Sequence, residues 1–410
     1  MTATSRLRPM TGRDPHEEHR AATPLELLFD LTFVVAFGVS GDELAHQLAE
    51  GHVAAGIVAF CFASFAICWA WINYSWMASA YDTDDWAFRL LTMVQMVGVI
   101  ILALGLPELF ESIHEGERLH NEVVIAGYMV MRVALCGQWL RAWRQDPGRR
   151  RAHQAYLVAI LTAQVLWCII AILPLDVPTA FVAMLVPMVI ELAGPYLAER
   201  RFGGTPWHAH HIAERYGLLT IITLGEGVIG TVAVVSAIIH DTEVGWSLDA
   251  ILLLTAGVGL TFGQWWTYFT IPWAEVLHRR RDRSFLWGYG HILLFAAIAA
   301  TGSGLHVAAY YLEHHSELGE VATVASVTIP VAAYALLLYV LYNSFMHVID
   351  PFHVLLVGLT AVVLVASVVM AVAGVPMAWC LIVVALAPVV TIVGYEAVGH
   401  RHLVSHFERL

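Results

Sequence analysis

Runs of about 20 apolar residues recur along the whole chain, each long enough to cross a hydrocarbon core about 30 Å thick. They lie near residues 25–45, 54–76, 87–109, 122–140, 155–174, 178–198, 211–238, 248–271, 285–310, 321–343, 352–373 and 376–398. Short polar stretches separate them. Inside a bilayer each backbone amide must find its partner within its own segment, so open-ended spans of this kind are helices. The pattern predicts an all-α polytopic membrane protein of twelve transmembrane helices. Composition agrees, with 59% hydrophobic and 13% charged residues among 410 and a mean hydropathy of +0.70. Soluble globular chains carry about twice that charged fraction.

The cations set an orientation. The chain has 21 arginines and no lysine. With the N-terminus inside, 19 of them fall at cytoplasmic ends, including Arg6, Arg8, Arg13 and Arg20 in the tail and the run His278–Arg283. Arg118 lies outside and Arg132 within a span. Positive charge accumulates on the cytoplasmic side, so this count predicts both termini in the cytoplasm of an inner-membrane protein. The formal charge of −12 is divided across the membrane. No basic face with interleaved aromatics suggests nucleic acid. The five cysteines all sit in apolar runs and read as small buried hydrophobes. The expected partners are the lipid bilayer and a small-molecule or cation substrate.

The two halves share landmarks. "ELLFDLT" (26–32) and "ERYGLLT" (214–220) align Glu, Leu and Thr at the start of spans one and seven. "WINY" (71–74) and "WWTY" (265–268) align Trp and Tyr, with Arg89 and Arg283 fifteen residues beyond each Tyr. Spans one and seven enter from the same side, so the expectation is a parallel six-plus-six repeat. It divides the chain into a tail (1–24), a first half (25–200), a second half (201–398) and a C-terminal tail (399–410).

At "PLELLFDLTFVVAFG", "YDTDDWAFRLLTMVQMVGVIILALGLP" and "HHIAERYGLLTIITLGEGVIG" the chain resembles the bacterial low temperature requirement A (LtrA) family over nearly its whole membrane region. The resemblance implies a multi-spanning protein and supplies no mechanism, because the family is known without a settled activity. Phe29-Asp30 also resembles, in part, the Phe-Ser-Asp of two-repeat potassium channels.

Ionisable groups within the bilayer are costly, about 2.5–3.5 kcal/mol each on insertion scales, and face cavities or each other. Glu226 and Arg132 lie near mid-depth, and Glu191 is somewhat cytoplasmic of it. Arg132 is expected to pair with Glu226 or with Glu191. If one acid stays unpaired, it can titrate and couple to proton or cation movement. The glycines of "LGEGVIG" favour Glu226, since they permit close helix approach or a local break. Glu26 and Asp30 share a face of span one, and Glu214 and Arg215 occupy the related place on span seven. They read as a structural network or as a cytoplasmic vestibule. "WHAHHIAER" offers His210 or His211 with Glu214 at helical spacing for a metal, though no second cluster completes a site. His291 and Gln264 read as hydrogen-bonding core residues, and Trp71, Trp265, Tyr74 and Tyr268 as interfacial aromatics.

"YDTDDWAFRLL" (81–91) places Asp82, Asp84 and Asp85 at the entry to span three. Asp82 or Thr83 is the expected N-cap, with Asp84 and Asp85 in the first turn and Asp85 pairing with Arg89. The alternative is that Asp-x-Asp-Asp resembles the acid motif of class II terpene cyclases. Arg279, Arg280, Arg281 and Arg283, with Arg89, would then hold an isoprenoid diphosphate, with Mg²⁺ possible. The first reading is a permease or channel-like transporter without a cofactor. In it Glu226 titrates, Arg132 is its charge partner, and Asp30 and Glu26 form a cytoplasmic gate. Reporters placed at Glu115 and Ser316 should label from outside and those at Gly148 and Arg280 from inside; one reversal breaks the twelve-helix orientation.

Overall fold

The computed structural model describes residues 7–15, 17, 20–241, 246–347 and 350–402. Arg6, Arg409 and the far ends of both expected tails lie outside the described residues. Twelve helices are long and apolar enough to span a membrane. They are α1 (Pro24–Ala49), α2 (Val53–Tyr81), α3 (Trp86–Glu115), α4 (Glu122–Gln145), α5 (Pro147–Ile172) and α6 (Val177–Arg201). The remainder are α7 (Ala209–Ile239), α8 (Leu248–Arg279), α9 (Arg281–Leu312), α10 (Glu320–Met346), α11 (Pro351–Val372) and α12 (Met377–His402). Each expected span has its helix, and no strand is present among the described residues. Leu104, Ile172 and Val372 are 72%, 78% and 69% exposed. Apolar residues so exposed along most helices suit a surface bathed in lipid rather than water.

The chain divides into two compact units. The first comprises Met1–Ser40 and Phe65–Tyr216, and the second Gly41–Ser64 and Gly217–Leu410.

In the first unit α3 packs along α4 and α5 along α6. The α3–α4 contact depends on two facing glycines: a Cβ on Gly98 would stand 2.7 Å from the Gly127 carbonyl oxygen, and one on Gly127 2.6 Å from that of Gly98. Small residues at such crossings let membrane helices approach closely, where apolar side chains gain little over lipid. Met10, Arg13 and Arg20 are tied to the ends of the helices. Met10 N–H donates to Gln145 Oε1 (2.7 Å), Arg13 N–H to the Ala80 carbonyl (2.9 Å), and the Arg20 guanidinium to the carbonyls of Ser79 and Ala78.

In the second unit α9 packs along α10, and Val234, Leu253, Leu305, Val324, Leu381 and Val384 form part of a continuous apolar core. Part of its polar interior is locally satisfied. His291 meets the Tyr268 hydroxyl (3.1 Å) and the Trp287 carbonyl (2.7 Å), and Gln264 donates to Thr301 (3.2 Å), as expected of core hydrogen-bonding residues. Tyr268, Trp71 and Tyr74 are buried rather than interfacial; of that expected set only Trp265 is exposed. The cysteines are all free, but Cys61 is exposed and only Cys68 and Cys380 are buried.

Candidate functional site

Three groups of buried charge have different electrostatics. The first gathers at the start of α1. Thr23 and Glu26 form a capping box: Thr23 N–H donates to Glu26 Oε2 (2.8 Å) and Glu26 N–H to the Thr23 hydroxyl (3.3 Å). Asp30 lies one turn on, so both carboxylates face the same side. Arg215 meets them with its planar fork, Nη1 to Glu26 (2.9 Å), Nη2 to Asp30 (2.5 Å) and Nε to Asp30 (3.1 Å). His211 lies 3.1 Å from Glu26, and the Trp71 indole N–H donates to Asp30 (2.6 Å). The guanidinium also lies 5.6 Å and 5.7 Å from the Trp71 and Tyr74 ring centres. All six side chains are at most 1% exposed. The expected Glu26–Arg215 network is present, and its carboxylates are fully engaged. Glu214 is exposed and stands outside it.

The second group corrects an expectation. Arg132 on α4 pairs with Glu191 on α6 at 3.0 Å, not with Glu226. Tyr128 and Trp69 also donate to the same Glu191 oxygen, and Gln164 donates to the other (3.2 Å). The physical reason is placement: Arg132 and Glu191 both belong to the first unit, whereas Glu226 belongs to the second. Tyr128, four residues before Arg132, was the overlooked signal, since that spacing stacks its ring under the guanidinium (4.5 Å).

Glu226 is the third. It lies near the middle of α7, is 3% exposed, and its Oε1 has no hydrogen-bond partner among the described residues. No arginine pairs with it there. Its electrostatic neighbours are Asp42 and His306, neither of which was singled out in the sequence.

The loop acids are all engaged. The N-cap of α3 is Asp85, not Asp82 or Thr83: it accepts from Phe88 N–H (3.0 Å), and also from Arg141 (Nη1, 2.9 Å) and Arg8 N–H (3.1 Å). Arg89 forks onto Asp84 (2.8 and 2.9 Å) instead of pairing with Asp85, because the cap turns Asp85 inward toward Arg141. Asp82 accepts the Asp84 N–H (2.7 Å), which holds Asp84 at a φ of +47°. Burial acts to raise Asp85, but Arg141 and the two amides outweigh it and hold the carboxyl below its usual range. Asp82, pushed up first by burial and then by the Glu26 charge, titrates at about 6.

The basic cluster is likewise occupied by its own neighbourhood. Arg279 pairs with Glu275 (2.6 Å), Arg280 with Asp282 (3.2 Å), and Arg283 with Asp282 (3.6 Å) and the His347 ring. Arg281 is in the same turn. In the histidine run, His208 meets the Glu17 carbonyl (2.8 Å), His211 turns to Glu26, and His210 is exposed. The run does not converge on one point.

Two outcomes follow from this geometry. Arg132→Leu should destabilise the detergent-solubilised protein by about 3–5 kcal/mol, because it leaves a buried carboxylate unpaired. Adding Glu191→Gln should recover much of that loss, whereas adding Glu226→Gln should not. Thermal unfolding of the single and double variants reads both. For Asp82 the folded-state pKa, about 6, lies above the ordinary aspartate value of 3.8. Its ionisation therefore opposes folding, so stability should fall as pH rises through that window and level off above it. Asp82→Asn keeps the acceptor for Asp84 N–H, and should flatten this part of a stability-versus-pH profile.

Comparison with known proteins places the chain. An uncharacterized protein of Rhizobium meliloti (strain 1021) is 26% identical over 319 residues, covering 74% of this chain and 72% of that protein. Residues 21–388 match the profile of the bacterial low temperature requirement A protein, and with nine-tenths of its length and twelve spanning helices in agreement, the chain belongs to the LtrA family.

Proposed function

We propose that this LtrA protein is a secondary transporter of a small solute or cation in the cytoplasmic membrane, coupled to proton exchange at Glu226, with both termini inside. One observation carries the reading. Among the acidic groups buried within the spans, Glu26 with Asp30 and Glu191 are held by arginines, while Glu226 has no such partner among the described residues. An uncompensated carboxylate in a membrane helix is costly and is retained where its charge changes during function. Protonation removes the cost, so the group is suited to alternate between a neutral and an ionised, cation-binding form. The Arg215 and Arg132 networks support it differently: by saturating their carboxylates they hold the helices of the first unit in register, and Glu26 and Asp30 serve as the fixed end of a gate. The isoprenoid-diphosphate alternative finds no comparable support, because Asp82, Asp84 and Asp85 already accept hydrogen bonds from amides or arginines.

The test is proton flux in liposomes holding purified protein and a luminal pH dye. K⁺, Na⁺, amino acids and sugars are supplied in turn against a pH gradient. At least one should dissipate the gradient faster than in protein-free liposomes, and Glu226→Gln should abolish that gain, whereas Asp84→Asn should leave it nearly unchanged. Flux no greater than that of protein-free liposomes with every probe would overturn the reading.

A further inference from the structure

Glu226 needs a route for its proton, and the second unit has two groups placed to supply one. Three glycines bring them together. A Cβ on Gly302 of α9 would stand 2.6 Å from the Glu226 carbonyl oxygen, so the two backbones touch at the level of the acid. A Cβ on Gly41 of α1 would lie 3.6 Å from Glu226 Oε2 and 3.1 Å from the Ser303 hydroxyl. One on Gly230, a turn beyond Glu226, would lie 3.0 Å from the His306 ring. His306 is four residues after Gly302, so its ring sits about 6 Å farther along the helix axis than the acid.

His306 Nδ1 is 3.0 Å from Asp42 Oδ1. Its Nε2 is buried and, like Glu226 Oε1, lacks a hydrogen-bond partner among the described residues. The side chains grade from outside to inside: Asp42 is 63% exposed, His306 12% and the Glu226 residue 3%. An exposed acid, a mostly buried imidazole and a buried acid thus stand in order. Asp42 and His306 lie in the C-terminal halves of α1 and α9, the end expected to face outside. Around them the titratable groups are Glu43 and His46 on α1, Tyr310 on α9 and Glu313 just past it. Asp42, Glu43 and Glu313 are electrostatic neighbours of Tyr310, and His46 pairs with Glu50 (3.3 Å).

We propose that Asp42 and His306 form a proton relay that loads and unloads Glu226 from the outer end of the second unit. The inference rests on the reading of Glu226 as the proton-exchanging group. In the inward step a proton from solvent adds to Asp42 and passes to His306 Nδ1, while the Nε2 proton leaves for Glu226 Oε1. Asp42 ends as the carboxylate it began as, His306 as neutral imidazole in its other tautomer, and Glu226 as the neutral acid. One proton has entered and no electrons have moved. Rotation of the imidazole, or a bridging water, carries the proton between Nε2 and the acid and resets the tautomer.

The relay is tested by the rate at which Glu226 protonates. Full-length protein in detergent is acidified rapidly, and the carboxylic-acid C=O band is followed by infrared spectroscopy. The band belonging to Glu226 is the one missing in Glu226→Gln. His306→Asn should slow its appearance about a hundredfold, the scale of a lost proton-transfer group, and Asp42→Asn should slow it in the same direction. Asp42 is exposed, so its variant keeps the test open if His306→Asn does not fold, as judged by circular dichroism and gel filtration. Unchanged rates in the folded variants, or a changed end-point with an unchanged rate, would make the pair structural and overturn the relay. The outcomes separate the two claims. Slowed protonation in a protein that transports no probe keeps the relay and removes the transport reading. Glu226-dependent flux with unchanged protonation rates removes the relay alone.

Discussion

The grip of one guanidinium on two carboxylates organises the first unit. Arg215, Glu26 and Asp30 are each within a percentage point of complete burial, where a lone charge is prohibitively expensive and a well-met one is tolerated. The planar fork of arginine suits the arrangement, since it engages both acids at once and keeps a face for Trp71 and Tyr74. That demand fixes several things together. Glu26 and Asp30 must be one turn apart, α1 must begin at its capping box, and the tryptophan of α2 must point inward. The two acids and one arginine leave an excess of negative charge, and His211 lies beside Glu26 to moderate it. Replacing any member strands the others.

The helices were legible in the sequence because a bilayer imposes a length on every span. The twelve apolar runs and the twelve helices coincide for that reason. Pairings were legible where two residues on one helix face meet a partner at the same depth, as Glu26 and Asp30 meet Arg215. They were illegible where the partner depends on which helices are neighbours. Depth alone allowed Arg132 to meet either Glu226 or Glu191, and only packing assigned it. The loop acids failed differently: capping was the right principle, but the choice of Asp85 follows from Arg141 and Arg8, which are distant in sequence. Trp71 and Tyr74 looked interfacial because they lie near a span end, and charge drew them inside.

The contrast between saturated and unsaturated acids gives Glu226 its meaning. Glu191 receives four donors and Asp30 three. Such carboxylates are met by donors on both of their oxygens. Glu226 has glycines on both sides in its own helix and glycine on the facing ones, and among the described residues no donor meets its Oε1. A site meant only to hold helices together gains nothing from that arrangement.

The separation of Arg215 from its partners also bears on biosynthesis. The arginine follows Asp30 by 185 positions, so α1 enters the membrane long before its counter-charge has been made. Two unpaired carboxylates at its start weigh against deep insertion by a few kcal/mol each. The energy of that first helix is therefore settled late, when the start of α7 arrives beside it. A chain truncated before Arg215 would lack the counter-charge that meets these two carboxylates.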